Sequence, residues 1–439
     1  MFPGAPPPGA GAAAIPASGP QQPDPCAADA PLSIEAAFAA VVETAAPLAG
    51  TERLPLAQAT GRVLAAELAT PIPLPPFDNA AMDGFGVAEE AVGLAPPFAR
   101  RLVARYPAGG EPGPPLAPGD TVRVLTGAAL PPGVAAVLYG ERCEVAGDAV
   151  RFTLPLRPGQ NIRRAGEDAP AGAPILLAGT LLDARHIALA AAAGLAALPL
   201  RRRPRIGLLS TGNELLPPGE PLRPGTIHDS NRPMLAAVLA APWAELHDLG
   251  ILPDDRAAIA ERLRAQAGLD LIVSSGAVSG SEADQLAAAL RDAGGEATPL
   301  RVAQKPGKPL LHGRLGATRV LGLPGNPVAA FLGAILFARP LVRRLAGLPA
   351  ARPRGIPARL RRPASRGPVR VEFAPARLLE DDAEGRPVLE LLGPASSARL
   401  VPLAAADGLA ELVPGEGEDR ARFHAFPPLL AAHAPPAGG

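Results

Sequence analysis

Between residues 206 and about 345, short β-like runs alternate with helical runs, and the joints between them are rich in glycine, serine and proline. This alternation constrains the fold more than any other feature. Strands separated by helices run parallel and carry helices on both faces of the sheet. Candidate strands are Ile206-Gly207-Leu208-Leu209-Ser210, Leu271-Ile272-Val273-Ser274 and Val320-Leu321-Gly322, with helices expected near 232–241, 255–266, 282–293 and 328–344. Three joints pass from strand to helix: Ser210-Thr211-Gly212-Asn213-Glu214, the stretch 274–284, and Leu323-Pro324-Gly325-Asn326-Pro327. In a parallel sheet all three fall on the carboxyl edge, where such folds bind ligands. Their small residues let backbone N–H groups approach an oxoanion, and Pro327 suits the first turn of a helix. A phosphate-bearing ligand is the expected occupant.

The rest of the chain reads differently. Residues 1–30 are Pro/Ala/Gly-rich without periodicity and are expected to be a disordered tail. Ser33 is placed to cap a helix with apolar Ile34, Ala37, Phe38, Val41 and Val42. Within an N-terminal region of 31–200, the stretch 68–160 carries short β-like runs between Pro/Gly turns and reads as an inserted small β-rich module. A helix near 183–193 follows. The run Arg201-Arg202-Arg203-Pro204-Arg205 is read as a solvated junction before the α/β domain at 201–347. Residues 348–439 are β-like and Pro-rich again and predict a small barrel or sandwich. The expected class is therefore a central doubly wound parallel α/β domain, an inserted β-rich module and a C-terminal β-barrel.

Composition excludes several functions. Lys+Arg 42 balances Asp+Glu 42 for a net charge of +0, so no global basic field draws nucleic acid or an anionic membrane. Aromatic residues at 3% leave few platforms for stacking bases. Cys26 and Cys143 make neither a disulfide framework nor a zinc site. The charge-free apolar run 187–200 is too short to span a bilayer, and Pro and Gly break any apolar stretch before Asp24. A cytoplasmic location is expected.

Acids recur beside the loops: Glu214, Asp229, Asp254 and Asp284, with Asp83, Glu167 and Asp168 in the N-terminal half. Carboxylates gathered around a phosphate repel it unless a divalent cation bridges them, and Mg²⁺ takes one or two carboxylates plus phosphate oxygens. Helix capping is the alternative for Asp229 and Asp254. Lysine is scarce here, yet Lys305-Pro306-Gly307-Lys308-Pro309 places two ammonium groups on one turn, where they can make charge-assisted bonds to phosphate. The six histidines show no metal-ligand spacing.

Taken together, the strings resemble the molybdopterin molybdenumtransferase family (MoeA and the gephyrin E domain). They are Pro76-Phe77-Asp78-Asn79-Ala80-Ala81-Met82-Asp83-Gly84, Val124-Leu125-Thr126-Gly127-Ala128, Gln160 to Asp168, Ser210 to Leu215, Gly225 to Arg232, Lys305 to Pro309, Gly322 to Pro327, and Ser396-Ser397-Ala398-Arg399-Leu400. The resemblance implies an enzyme that inserts molybdate into adenylylated molybdopterin with Mg²⁺ and releases AMP. It also implies a homodimer whose cleft is shared between subunits, and an adenylyltransferase of the same pathway as a partner. Carried over by position, Asp83, Asp168, Glu214, Asp254 and Asp284 are the expected catalytic acids, with Glu214 and Asp284 on Mg²⁺. Thr126, Arg163, Glu167, Ser279, Lys305, Lys308, Pro324, Gly325, Asn326 and Pro327 are the expected substrate contacts. The chain departs from the family pattern at Ala277, Ser281, Arg301 and Gly140. The alternatives are a molybdopterin adenylyltransferase-type enzyme and a non-catalytic molybdopterin-binding scaffold.

Overall fold

The computed structural model describes residues 30–266, 268–276, 278, 285–393 and 396–426. Helix α1 (Ile34–Phe38) begins where Ser33 Oγ accepts from the Ala36 N–H at 3.1 Å. Its buried Ile34, Ala37 and Phe38 pack, with Val41 and Val42, into the core of the central domain.

Six strands then form one sheet, in the order β4-β1-β3-β2-β6-β5. They are β1 (Gly84–Ala88), β2 (Phe98–Tyr106), β3 (Asp120–Val124), β4 (Val134–Tyr139), β5 (Cys143–Ala146) and β6 (Ala149–Phe152). Strand β1 is buried throughout because it lies between β3 and β4 in the sheet. Apolar clusters around Val122 and Val137 and around Phe85 and Phe152 form the core of this module. Helix α2 (Ala184–Ala192) follows, closed by a capping box between Asp183 and His186.

The central sheet has the order β8-β7-β9-β13-β12-β10. Its parallel part consists of β7 (Arg205–Thr211), β8 (Glu245–Leu252), β9 (Leu271–Ser275) and β13 (Thr318–Leu323). Helices α3 (Asn231–Leu239) and α6 (Pro327–Gly333) contribute to the core on one face. Helices α4 (Arg256–Arg264) and α5 (Gln285–Asp292) contribute to the other, so the sheet is wound on both sides. Full burial of β9 and β13 follows, and it explains why both read as unbroken apolar runs ending in small residues. Three strands of this sheet are absent from the expectation: β8 itself, β12 (Pro309–Leu315), which pairs antiparallel with β13, and β10 (Glu296–Arg301), which pairs antiparallel with β12 at the sheet edge. The helix after β13 is continuous to Leu345, with a π turn over Ala334–Ala338 just before Pro340, which lacks an N–H to donate. The arginine junction is paired rather than merely solvated. Arg202 grips Asp270 through two bonds, at 2.7 and 2.8 Å, and fixes the start of β7.

The short strand β11 (Gln304–Lys305) leaves the central domain and pairs parallel with β15 (Val371–Leu378). The last five strands are β14 (Ile356–Leu360), β15, β16 (Val388–Leu391), β17 (Gly408–Leu412) and β18 (Arg420–Ala425). They close in the ring β15-β16-β14-β18-β17-β15, a small barrel. Its interior holds Leu360, Leu389, Leu412 and Phe423. No helix among the described residues is long and apolar enough to cross a membrane.

Candidate functional site

The carboxyl ends of β7, β9 and β13 meet at one point. Gly276 follows β9 with φ +97°, and a Cβ there would stand 2.3 Å from the Thr211 carbonyl oxygen at the end of β7. Only glycine satisfies both the dihedral and that approach. Gly276 N–H in turn donates to Leu323 O at 3.2 Å, tying the end of β9 to that of β13.

Asn231, at the start of α3, clamps this junction. Its Nδ2 donates to Ser275 Oγ and to Gly325 O, both at 2.6 Å. Because the Gly325 carbonyl can only accept, the amide orientation is fixed. Asp229 is buried, and its Oδ1 accepts from the N–H groups of Asn231 and Arg232 at 3.1 and 3.2 Å, which is the capping role open to it from the sequence. The cap of α4 is Asp255, which accepts from Ala258 N–H, so Asp254 is free of that duty.

Around these loops lies a cavity of about 840 Å³, within the range of small-molecule sites. Its wall includes Glu214, Asp254, Asn231, the run Pro324-Gly325-Asn326-Pro327, and Ser397 with Ala398 from the segment before β17. Glu214 folds back over Gly212, where a Cβ would meet its Oε2 at 2.7 Å. Burial and then the Glu214 charge raise the Asp254 carboxyl above its ordinary range, while the Asn213 hydrogen bond opposes them. Two carboxylates therefore face one pocket, close enough for the charge of one to raise the other. Among the described residues no group of three or more His, Cys, Asp or Glu gathers to hold a metal. A hard divalent cation fits the pair that is present, its remaining positions filled by water and ligand oxygens. Among the described residues, buried polar atoms without partners add to the pattern: Thr211 Oγ1 and Asn231 Oδ1 at the cavity, and Ser210 Oγ and Ser274 Oγ behind it.

The start of α6 is less open than its sequence implies. Pro327 has no N–H, and the Val328 N–H donates to Ser397 O at 2.9 Å. The N–H groups there that make no hydrogen bond among the described residues are those of exposed Gly325 and Asn326 and of buried Ala329, which also lines the cavity. A neighbouring hollow of about 560 Å³ is lined by Gly212, Asn213, Arg232 and residues 250–253, but Arg232 there is held by Asp229 and Asp248 and offers no free charge.

The expected site residues thus separate into groups. Glu214, Asp254, Pro324, Gly325, Asn326 and Pro327 share the cavity. Gly307 lines it too, but Lys305 and Lys308 on either side do not. Lys305 Nζ donates instead to Glu372 Oε2 at 3.0 Å, on β15 of the barrel. Asp83, Thr126, Arg163, Glu167 and Asp168 lie on the N-terminal module and do not line the cavity. There Asp83 Oδ1 accepts from both the N–H and the hydroxyl of Thr126 at 2.7 Å. Glu167 accepts from Arg164 N–H at 2.7 Å, and Asp168 N–H donates to Leu74 O at 2.9 Å. Arg163 is exposed in a two-residue strand paired with Asn79–Ala80. Ser279 and Asp284, with Ala277 and Ser281, lie outside the described residues. Sequence reasoning assigned no role to Asn231, Thr211 or Ser397, although each stands within or beside a string already noted.

Comparison with known proteins agrees with this architecture. The MoeA N-terminal region (domain I and II) matches residues 32–194, a probable molybdopterin binding domain 207–344, and the MoeA C-terminal region (domain IV) 357–421. Molybdopterin molybdenumtransferase 2 of Mycobacterium tuberculosis is 39% identical over 307 residues, covering 67% of this chain and 75% of that protein. The molybdopterin molybdenumtransferase of Haemophilus influenzae is 37% identical over 304 residues, covering 68% and 73%. A crystal structure of a molybdopterin biosynthesis MoeA protein from Pyrococcus horikoshii superposes with a TM-score of 0.75 at 29% identity, covering 90% of this chain and 99% of that one. The chain belongs to the molybdopterin molybdenumtransferase family.

Proposed function

We propose that this member of the family inserts molybdate into adenylylated molybdopterin and releases AMP, with the cavity at the carboxyl edge of the central sheet as its site. The chain is an enzyme of molybdenum cofactor biosynthesis, as its relatives' names state of them. The observation that carries the reading at residue level is the Glu214–Asp254 pair beside the open Gly325 and Asn326 N–H groups. It supplies a cation-seeking face and an anion-seeking face in one pocket, as an adenylylated phosphate ester requires.

The N–H groups of Gly325 and Asn326 bind a phosphate or molybdate oxygen, and the Asn231 clamp keeps their loop in place. Glu214 and Asp254 would hold Mg²⁺, which would offset phosphate charge. Water attacks the phosphoanhydride and releases its proton to solvent. The new P–O bond comes from that water, and AMP departs. Lys308, one of the two lysines in the chain, adjoins the cavity-lining Gly307 and would supply positive charge to the ligand's phosphates; Lys305 would do so only on leaving Glu372.

Asp83, Thr126, Arg163, Glu167 and Asp168 belong to the same site if the module of one subunit faces the cavity of its partner, and we propose such a homodimer. The enzyme works in the cytoplasm and receives its substrate from the preceding adenylyltransferase. Molybdate-dependent AMP release from adenylylated molybdopterin with Mg²⁺ tests the reaction. Binding without release, or consumption of ATP instead, overturns it. Mixing inactive Asp83→Ala with inactive Lys305→Ala chains tests the shared site. Activity returns in exchanged heterodimers if it is shared and stays absent if each chain is self-sufficient.

A further inference from the structure

The N-terminal module carries two arginines that, among the described residues, form no ion pair, though the Asp83 carboxylate lies near both. Arg105 on β2 and Arg123 on β3 are register partners in a parallel pair, so their side chains leave the same face of the sheet beside each other. Like charges so placed repel. Among the described residues neither arginine has an ion pair or a hydrogen-bonded side chain, whereas Arg101, on the same β2, is bound to Asp120.

Arg123 is nevertheless fixed. Its guanidinium carbon lies 4.8 Å from the centroid of the Phe85 ring, and Phe85 is itself fully buried. The fork also runs against Gly140, where a Cβ would stand 3.1 Å from Nη1 and 3.4 Å from Cζ and Nη2. Glycine at 140 leaves the room that the fork occupies. Asp83 and Thr126 stand nearby. The Thr126 hydrogen bonds first, and the Arg123 and Arg105 charges after them, hold the Asp83 carboxyl below its usual range. Asp83 Oδ1 is already engaged twice by Thr126, so it is no bidentate partner for either guanidinium. A guanidinium fixed by ring and backbone, with a second beside it and no carboxylate on either, is arranged for a planar, two-pronged grip on an oxoanion.

We propose that Arg105 and Arg123 form an oxoanion subsite on the module, taking a phosphate monoester or free phosphate, and that Gly140 keeps it open. The subsite is separate from the cavity residues and goes beyond the reading given to them.

Titration calorimetry with inorganic phosphate and, separately, with AMP on the full chain tests this. In Arg105→Gln and in Arg123→Gln, the number of phosphates bound per chain falls by one, or one affinity falls tenfold or more, while binding in the cavity persists as a common background. Gly140→Gln gives the same loss with both arginines present, because the added side chain displaces the fork. Loss for both probes assigns the subsite to the phosphate group itself, and loss for AMP alone assigns it to a nucleotide's phosphate. In phosphate-free buffer Arg105→Gln melts no lower than wild type, since the repulsion is relieved. Arg105→Lys keeps the charge without the fork and shows a smaller loss if folding of the glutamine variant is impaired. Unchanged binding of both probes in the two arginine variants, or in Arg105→Lys where Arg105→Gln does not fold, overturns the proposal.

Discussion

The barrel and the cavity both bury polar and charged groups, and they treat them in opposite ways. In the barrel, Glu411 and His424 are each 3% exposed. Glu411 Oε2 meets His424 Nε2 at 2.7 Å, while Oε1 is held by Arg352, which also grips Glu35. Burial alone raises the Glu411 carboxyl, but the His424 hydrogen bond and the Arg352 charge outweigh it and hold the group below its ordinary range. In the cavity, the Glu214 charge raises Asp254, and among the described residues Thr211 Oγ1 and Asn231 Oδ1 have no partners. An unsatisfied buried polar atom costs about 1–3 kcal/mol. Paired charges in the barrel join α1, the connector and the last strands, even though Arg352 Nε is itself buried without a partner among the described residues; the cavity instead sets two carboxylates against each other.

The contrast can be broken or sharpened by substitution. Glu411→Gln leaves Arg352 and His424 without their carboxylate, and a destabilisation of about 3 kcal/mol is expected by denaturant titration, with ligand affinity in the cavity little changed. The sign with pH follows. A depressed folded pKa adds stability above the ordinary carboxylate pKa, and that stability is lost as pH falls through the folded value. Wild type therefore loses stability on acidification more steeply than Glu411→Gln, measurable as the difference in their melting temperatures across acid pH.

Gly276→Ala drives a methyl into the Thr211 carbonyl at a left-handed dihedral. A loss of about 1–3 kcal/mol is expected, with collapse of ligand affinity by calorimetry, because the strand ends must part. Asn231→Ala unclamps Gly325 and costs about 1 kcal/mol, and it lowers ligand affinity more than its stability effect implies. The smallest stability effect is at Asp254. Its raised pKa means that ionisation opposes folding, and stability is lost as pH rises through the folded value. Asp254→Asn accordingly melts slightly higher than wild type at neutral pH, and the gain disappears below pH 3.8, the ordinary aspartate value. Mg²⁺ raises the melting temperature of wild type and not of this variant.

Much of this was legible in the chain. The Gly322-to-Pro327 string marks its own strand, turn and helix, because glycine and proline punctuate locally. Helices α3, α4 and α6 begin within a residue of their expected starts for the same reason. What was not legible depends on distant pairing. Glu372 takes Lys305 from 67 residues away, and Ser397 reaches Val328 across a domain boundary. Strands β10 and β12 join the sheet through an antiparallel hairpin whose alternation is weak: β10 carries Pro299 and ends in Arg301. Nor does the sequence distinguish Asp229, spent on a cap, from Asp254, left free; only the helix start decides that.

The central claim is that the cavity's carboxylates serve the ligand and not the fold. It is tested most directly by measuring Mg²⁺-dependent AMP release and thermal stability together for Glu214→Gln. The account expects release to fall a hundredfold or more, an effect of about 3 kcal/mol on the barrier, with a melting temperature equal to or above that of wild type. Release at the wild-type rate, or a loss of activity matched by a loss of stability, would contradict it.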